Sequence, residues 1–181
     1  MTVKSYSLRK DGKTKLSANF RVREFACKDG NDTVLIDMGL VVVLQAIRDH
    51  FGRPVVINSA YRTQAHNKKV GGSTKSQHLL GKAADIRVGG VTPMELARYA
   101  ETLLKDGGGI GLYGTFVHVD IRPGRSRWNQ TSGTAQAVHG FYAEDHAAKV
   151  QRRFGFADDT MNYLKGYKYA KDLLRKLAES K

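Results

Sequence analysis

The chain has 181 residues, 41% hydrophobic and 26% charged, a composition that fits a soluble globular protein with one good core and room for a small appendage. Its formal net charge of +13 draws polyanions such as nucleic acid, anionic lipid or cell-wall polymers, without choosing among them. A single cysteine, Cys27, excludes an internal disulfide and a cysteine-built metal site, and no apolar run approaches membrane-spanning length.

Residues 1–17 are polar and basic around a Lys10-Asp-Gly-Lys13 turn and predict an N-terminal arm or short hairpin. No apolar signal core is present there, so the expected protein is made in the cytoplasm without an export signal of its own. Asn19–Phe25 predicts a short helix and Asp29–Asp32 a loop. From Thr33 as N-cap to Phe51 the sequence predicts one long helix, apolar nearly all round and therefore buried, ended by Gly52-Arg-Pro54. Val55–Tyr61 reads as a strand, Thr63–Val70 as a polar helix or loop, and Lys82–Val88 as a second strand. Thr92-Pro-Met-Glu95 is a helix start, with Thr as cap, Pro at the first position and Glu at the third. That helix stops at Asp106-Gly-Gly-Gly109, and Thr115–Ile121 reads as a third strand.

Between them, Gly109-Ile-Gly-Leu-Tyr-Gly114 fits the glycine spacing of a dinucleotide fingerprint but follows a helix and precedes a strand, the reverse of what phosphate cradling needs. The glycines are expected instead to let the chain pass close to a pocket. Residues 122–140 read as rim and linker, and 144–154 and 160–178 as two helices. A helical hairpin packing on the domain or on a copy of itself, a wall-binding appendage and a DNA-reading pair all fit that tail. No base-stacking aromatic motif accompanies the positive charge, so a nucleic-acid partner is not expected.

The chemistry concentrates in Ser76-Gln-His-Leu-Leu-Gly-Lys-Ala-Ala-Asp85 and Val117-His-Val-Asp120. Asp85 lies inside Ala83–Val88, where a carboxylate is costly unless paired or metal-bound. Two imidazoles and a carboxylate, with a fourth position open, are what a catalytic Zn2+ needs, so His78, Asp85 and His118 are the expected ligands. Residues two apart on a strand share a face, which puts Asp120 beside His118 as general base or as the group that orients a ligand.

On these residues the chain resembles the D-alanyl-D-alanine carboxypeptidase-like zinc peptidases, a group of peptidoglycan peptidases and phage endolysins with the hedgehog domain as a distant relative. The resemblance extends to Ile57-Asn-Ser-Ala-Tyr-Arg-Thr63 and Gly108–Tyr113, and so covers roughly residues 18–128. It implies an α+β fold, a small, mainly antiparallel sheet flanked by helices. With the arm, linker and tail read from the residues, the expected organisation is an arm (1–17), a zinc peptidase domain (18–128), a linker (129–140) and a C-terminal helical hairpin (141–181). The implied activity is hydrolysis of peptide bonds in peptidoglycan stem peptides at the cell wall, reached at lysis if the protein is phage-encoded. Arg62 is then expected to hold the developing oxyanion or a substrate carboxylate, with Ser76 and Gln77 also at the substrate. Many relatives carry an acid three residues before the last histidine, where this chain has Thr115. That departure leaves a second reading open, a zinc-containing protein that binds wall polymer without cutting it.

Overall fold

The computed structural model describes residues 3–141. The expected C-terminal hairpin lies outside the described residues. β1 (Val3–Ser7) leads through a single helical turn, α1 (Leu8–Asp11), and a 3-10 turn (Val22–Phe25) to β2 (Thr33–Asp37). β1 and β2 pair antiparallel, Val3 opposite Asp37 and Ser7 opposite Thr33.

This corrects the expected helix start at Thr33. The β-branched Thr33, Val34 and Ile36 complete a two-stranded sheet with β1, a partnership the local pattern does not reveal. The helix α2 (Met38–Phe51) begins only where Asp37 caps it, its carboxylate accepting from the Gly39 amide at 2.9 Å. Gly52, at φ 61°, closes it in the left-handed conformation. Leu40, Val41, Leu44 and Ile47 are buried, whereas Val42 is 59% exposed, so the apolar helix buries one face and not its whole circumference.

The remaining strands are β3 (Val55–Ser59), β4 (Ala83–Val88), β5 (Gly109–Leu112), β6 (Val117–Asp120), β7 (Ser126–Asn129) and β8 (Gln136–Ala137). They form one sheet in the order β3-β4-β6-β5-β7-β8, antiparallel except for the parallel pair β5–β7. Two helices complete the domain: α3 (Gln64–Lys69), capped by Thr63, and α4 (Pro93–Leu104), whose Thr92 and Glu95 form the expected capping box. The fold is α+β, as expected. Residues 122–140, expected as rim and linker, contain β7 and β8 and extend the sheet.

Strand alternation divides the work of the sheet. Ala84, Ile86, Val88, Ile110, Leu112, Val117 and Val119 belong to one buried core with Leu40, Leu44 and Ile47 of α2 and Leu96, Ala97 and Ala100 of α4. Ala83, Asp85, Gly109, Gly111, His118, Asp120 and Trp128 occupy the alternate positions and share the other face. Helices cover one face, and the polar constellation lies on the other. No helix of the described residues is long and apolar enough to cross a membrane.

Candidate functional site

The β4–β6 register sets Asp85 directly opposite His118 and Ala83 opposite Asp120. A register irregularity between Ile57 and Ser59 brings Ser59 opposite Asp85 from β3. His78 arrives from outside the sheet, on a 3-10 turn (Gln77–Leu80) capped by the Ser76 hydroxyl, which accepts from the His78 amide at 3.3 Å. The turn ends at Gly81, φ 65°, where a Cβ would lie 2.3 Å from the carbonyl oxygen of Leu35. The glycine is therefore required by its left-handed backbone and by the close passage of β2.

His78 Nε2, His118 Nδ1 and an Asp85 carboxylate oxygen converge, all within 4.8 Å of one another and all on buried residues. The separations are 3.2 Å between the two nitrogens, 2.9 Å from His118 to Asp85 and 3.3 Å from His78 to Asp85. What the rings do on their far sides decides the chemistry. His78 Nδ1 lies 2.6 Å from the Ala60 carbonyl oxygen, which can only accept, so that nitrogen carries the proton. His118 Nε2 lies 3.0 Å from Asp120 Oδ2 and donates there. Each imidazole therefore turns a bare lone pair toward the other and toward the Asp85 carboxylate. Three acceptors facing one another without a donor repel unless a cation or a proton sits among them, and this donor set can hold a metal ion.

The electrostatics agree. Burial alone would raise the pKa of Asp85, but its hydrogen bonds with His118 and His78 outweigh that and hold it well below the carboxylate range. Burial would likewise depress His118; its hydrogen bonds to Asp120 and Asp85 prevail and raise its pKa. Both residues favour the charged form of their neighbour.

Arg62 backs the third donor. Its Nη2 donates to Asp85 Oδ2 at 2.5 Å and its Nε to the Ser59 hydroxyl at 2.8 Å, while its amide donates to the His78 carbonyl oxygen. One residue thus ties the two ends of the motif together. Asp120 is fully buried and its oxygens are engaged: Oδ2 by His118 and Arg122 Nη2, Oδ1 by the Arg122 amide and Nε. Burial would raise its pKa as well, but the His118 and Arg122 hydrogen bonds keep it far below normal. It does not line the cavity, so its geometry favours orienting His118 over serving as a base. Thr115 is exposed in the β5–β6 turn and is not among the lining residues.

The cavity over the three donors has a volume of about 620 Å³. Ser76, Gln77 and Arg62 line it. Tyr113, Arg122 and Trp128 also line it; the sequence marks their segments as rim and as a passage near the pocket without singling out these side chains. Trp128, the only tryptophan, stands in a polar Gly/Ser/Arg stretch, and an isolated large aromatic in such a setting is the one signal that could have marked it.

The family model described as Peptidase M15 matches residues 18–120, which include the three donors, Arg62 and Asp120. No curated protein matches the chain.

Proposed function

The chain belongs to the peptidase M15 family, and we propose that it is a zinc-dependent hydrolase of peptide bonds in peptidoglycan stem peptides, a D,D-carboxypeptidase or an endopeptidase acting at the cell wall. The observation that carries this reading is the convergence of three lone pairs, from His78, Asp85 and His118, at the floor of an open cavity. Two imidazoles and one carboxylate are a catalytic zinc's ligand set, with a fourth position left for water or substrate. When bound, zinc supplies Lewis acidity for the scissile carbonyl and brings the pKa of a coordinated water down to about 7.

The chain's own groups do the rest. Ala60 and Asp120 fix the tautomers of the two histidines, and Arg62 fixes the carboxylate. Arg62, Lys75 and Arg122 make the cavity lining cationic, and among the described residues the one carboxylate in that lining is Asp85. This suits stem peptides, which carry carboxylates, and anionic wall polymers near them. Ser76 and Gln77, on the rim beside His78, are positioned to meet the peptide backbone of such a substrate.

The same lining favours one competing reading. With Asp120 engaged and Thr115 in place of an acid, no free carboxylate among the described residues lines the cavity to receive a proton, which is what a zinc-containing wall-binding protein would look like. Incubation of the zinc-loaded protein with purified sacculi, followed by mass analysis of the soluble fraction, separates the two. Released peptide fragments are expected; tight binding to sacculi with no fragments would establish the binding protein instead.

Two substitutions test the supporting shell. Asp120→Asn should lower metal affinity about 10–100-fold, because the amide no longer anchors the His118 Nε2 proton as a carboxylate does. Equilibrium dialysis against zinc reads this directly, and unaltered affinity with lost turnover would restore Asp120 as a base. Arg62→Lys keeps the charge but cannot bridge Ser59 and Asp85 together, so kcat/KM should fall on the order of 10²-fold. Lysine working as well as arginine would reduce Arg62 to a source of general positive field.

A further inference from the structure

The wall facing Arg62 is built around one indole. The parallel β5–β7 register sets Trp128 opposite Gly111, and a Cβ at that glycine would lie 2.3 Å from the indole. Only glycine there lets the ring lie down on the sheet. The indole also packs against His118, centroids 5.1 Å apart, beneath the Arg122 guanidinium at 5.9 Å. Its Nε1 carries one proton and can only donate; it donates to the Tyr113 hydroxyl oxygen at 3.2 Å.

Tyr113 is held from two further directions. Its amide donates to the Phe116 carbonyl oxygen at 3.1 Å, closing the β5–β6 turn, and its ring stacks on Phe116 with centroids 4.3 Å apart and planes 10° from parallel. Because the phenol oxygen accepts from the indole, its own proton must point elsewhere. Among the described residues it meets no acceptor, and the hydroxyl belongs to a side chain lining the same cavity as the three metal donors. A rigid ring, an oriented oxygen and an uncommitted proton beside a hydrolytic site are the parts of a preorganised hydrogen-bond donor.

We propose that Tyr113 is a substrate-contacting residue that donates a hydrogen bond to the scissile carbonyl oxygen as it becomes anionic, and that Trp128 is the positioning residue aiming it. No proton is transferred; the phenol keeps its hydrogen. The inference rests on the peptidase reading and extends it to a residue pair whose indole lies beyond the matched family segment, 18–120.

The test uses the full chain loaded with zinc and sacculus-derived muropeptides as substrate. Tyr113→Phe keeps the stack on Phe116 and removes only the hydroxyl, so kcat should fall on the order of 10²-fold with KM and zinc content little changed. Trp128→Phe should lose about 10-fold through the unaimed phenol, and the double variant should be no worse than Tyr113→Phe alone, because both act through one hydrogen bond. A second reading needs no turnover. Trp128 is the chain's only tryptophan, so its emission in the metal-free protein should shift in Tyr113→Phe, where the indole N–H loses its acceptor. Wild-type protein that cuts nothing would overturn the peptidase reading and this inference with it. A wild type that cuts, matched by Tyr113→Phe at equal kcat or with unshifted Trp128 emission, would overturn this inference alone.

Discussion

Replacing His118 by alanine is expected to strip the protein of its metal and to reduce stem-peptide hydrolysis by on the order of 10³-fold or more, to the level of a water with unaltered pKa. His118 is the central donor of the three. It sits on β6 between Asp85 of β4 and Gly111 of β5, and its Nδ1 lies within 3.2 Å of both other donor groups. Without the ring, His78 and Asp85 are left as two ligands, fewer than a zinc site retains. Asp120 also loses the donor that its Oδ2 shares with Arg122, so some stability should go as well. Metal analysis of the purified variant, with circular dichroism to establish that it is folded, reads the first effect; fragment release from sacculi reads the second. His78→Ala should behave alike, and chelation of the wild type should abolish turnover reversibly. A folded His118→Ala carrying one zinc per chain would remove this residue from the ligand set.

The largest effect on stability should come from Glu101, well away from the chemistry. This buried residue of α4 accepts from Arg127 Nε at 2.8 Å, from Arg125 Nη2 at 3.1 Å and from the Phe141 amide at 3.1 Å. The Arg127 side chain, 0% exposed, spends its remaining donors on the carbonyl oxygens of Lys105, Gly107, Gly108 and Ser126. The pair thereby fastens the end of α4 and the turn into β5 to β7, the strand that presents Trp128 on its opposite face. Glu101→Ala leaves a buried guanidinium unpaired, which typically costs about 3–5 kcal/mol. Denaturant unfolding of variant and wild type measures it. A loss below about 1 kcal/mol would mean that the cluster opens to water. Replacing both residues by Leu and Met should recover much of the loss, because no charge is then stranded.

The pH dependence of this contribution has a definite sign. Burial would raise the Glu101 pKa, but the Arg127 and Phe141 hydrogen bonds lower it below its ordinary value. A carboxyl with a depressed folded-state pKa adds stability above its unfolded pKa, about 4.3, and loses it as the pH falls through the folded value. The gap between wild type and Glu101→Ala should therefore be full at neutral pH and shrink below about pH 4.

The sequence alone carried the features that are short in range. Thr92, Pro93 and Glu95 announce a helix start because a capping box closes within one turn. Gly52 ends α2 because the left-handed conformation is a local requirement. The group that could hold a metal ion, His78, Asp85 and His118, was legible because polar residues at alternate positions of apolar strands cost too much to be accidental, and because His78 and Asp85 lie close along the chain. Tertiary structure decided whatever depended on a partner distant in sequence. Thr33–Asp37 reads as the start of a helix until β1 pairs with it. Gly109–Leu112 reads as a glycine-rich passage, yet its glycines are small because Asp120 and Trp128 lie across them: a Cβ would meet the carboxylate at 2.1 Å or the indole at 2.3 Å. Asp120 reads equally as base or as orienter, and only the neighbouring Arg122 and His118, closing on its two oxygens at a fully buried position, favour the second. Register between strands fixes which side chains face one another, and register is set by pairings that no local pattern encodes.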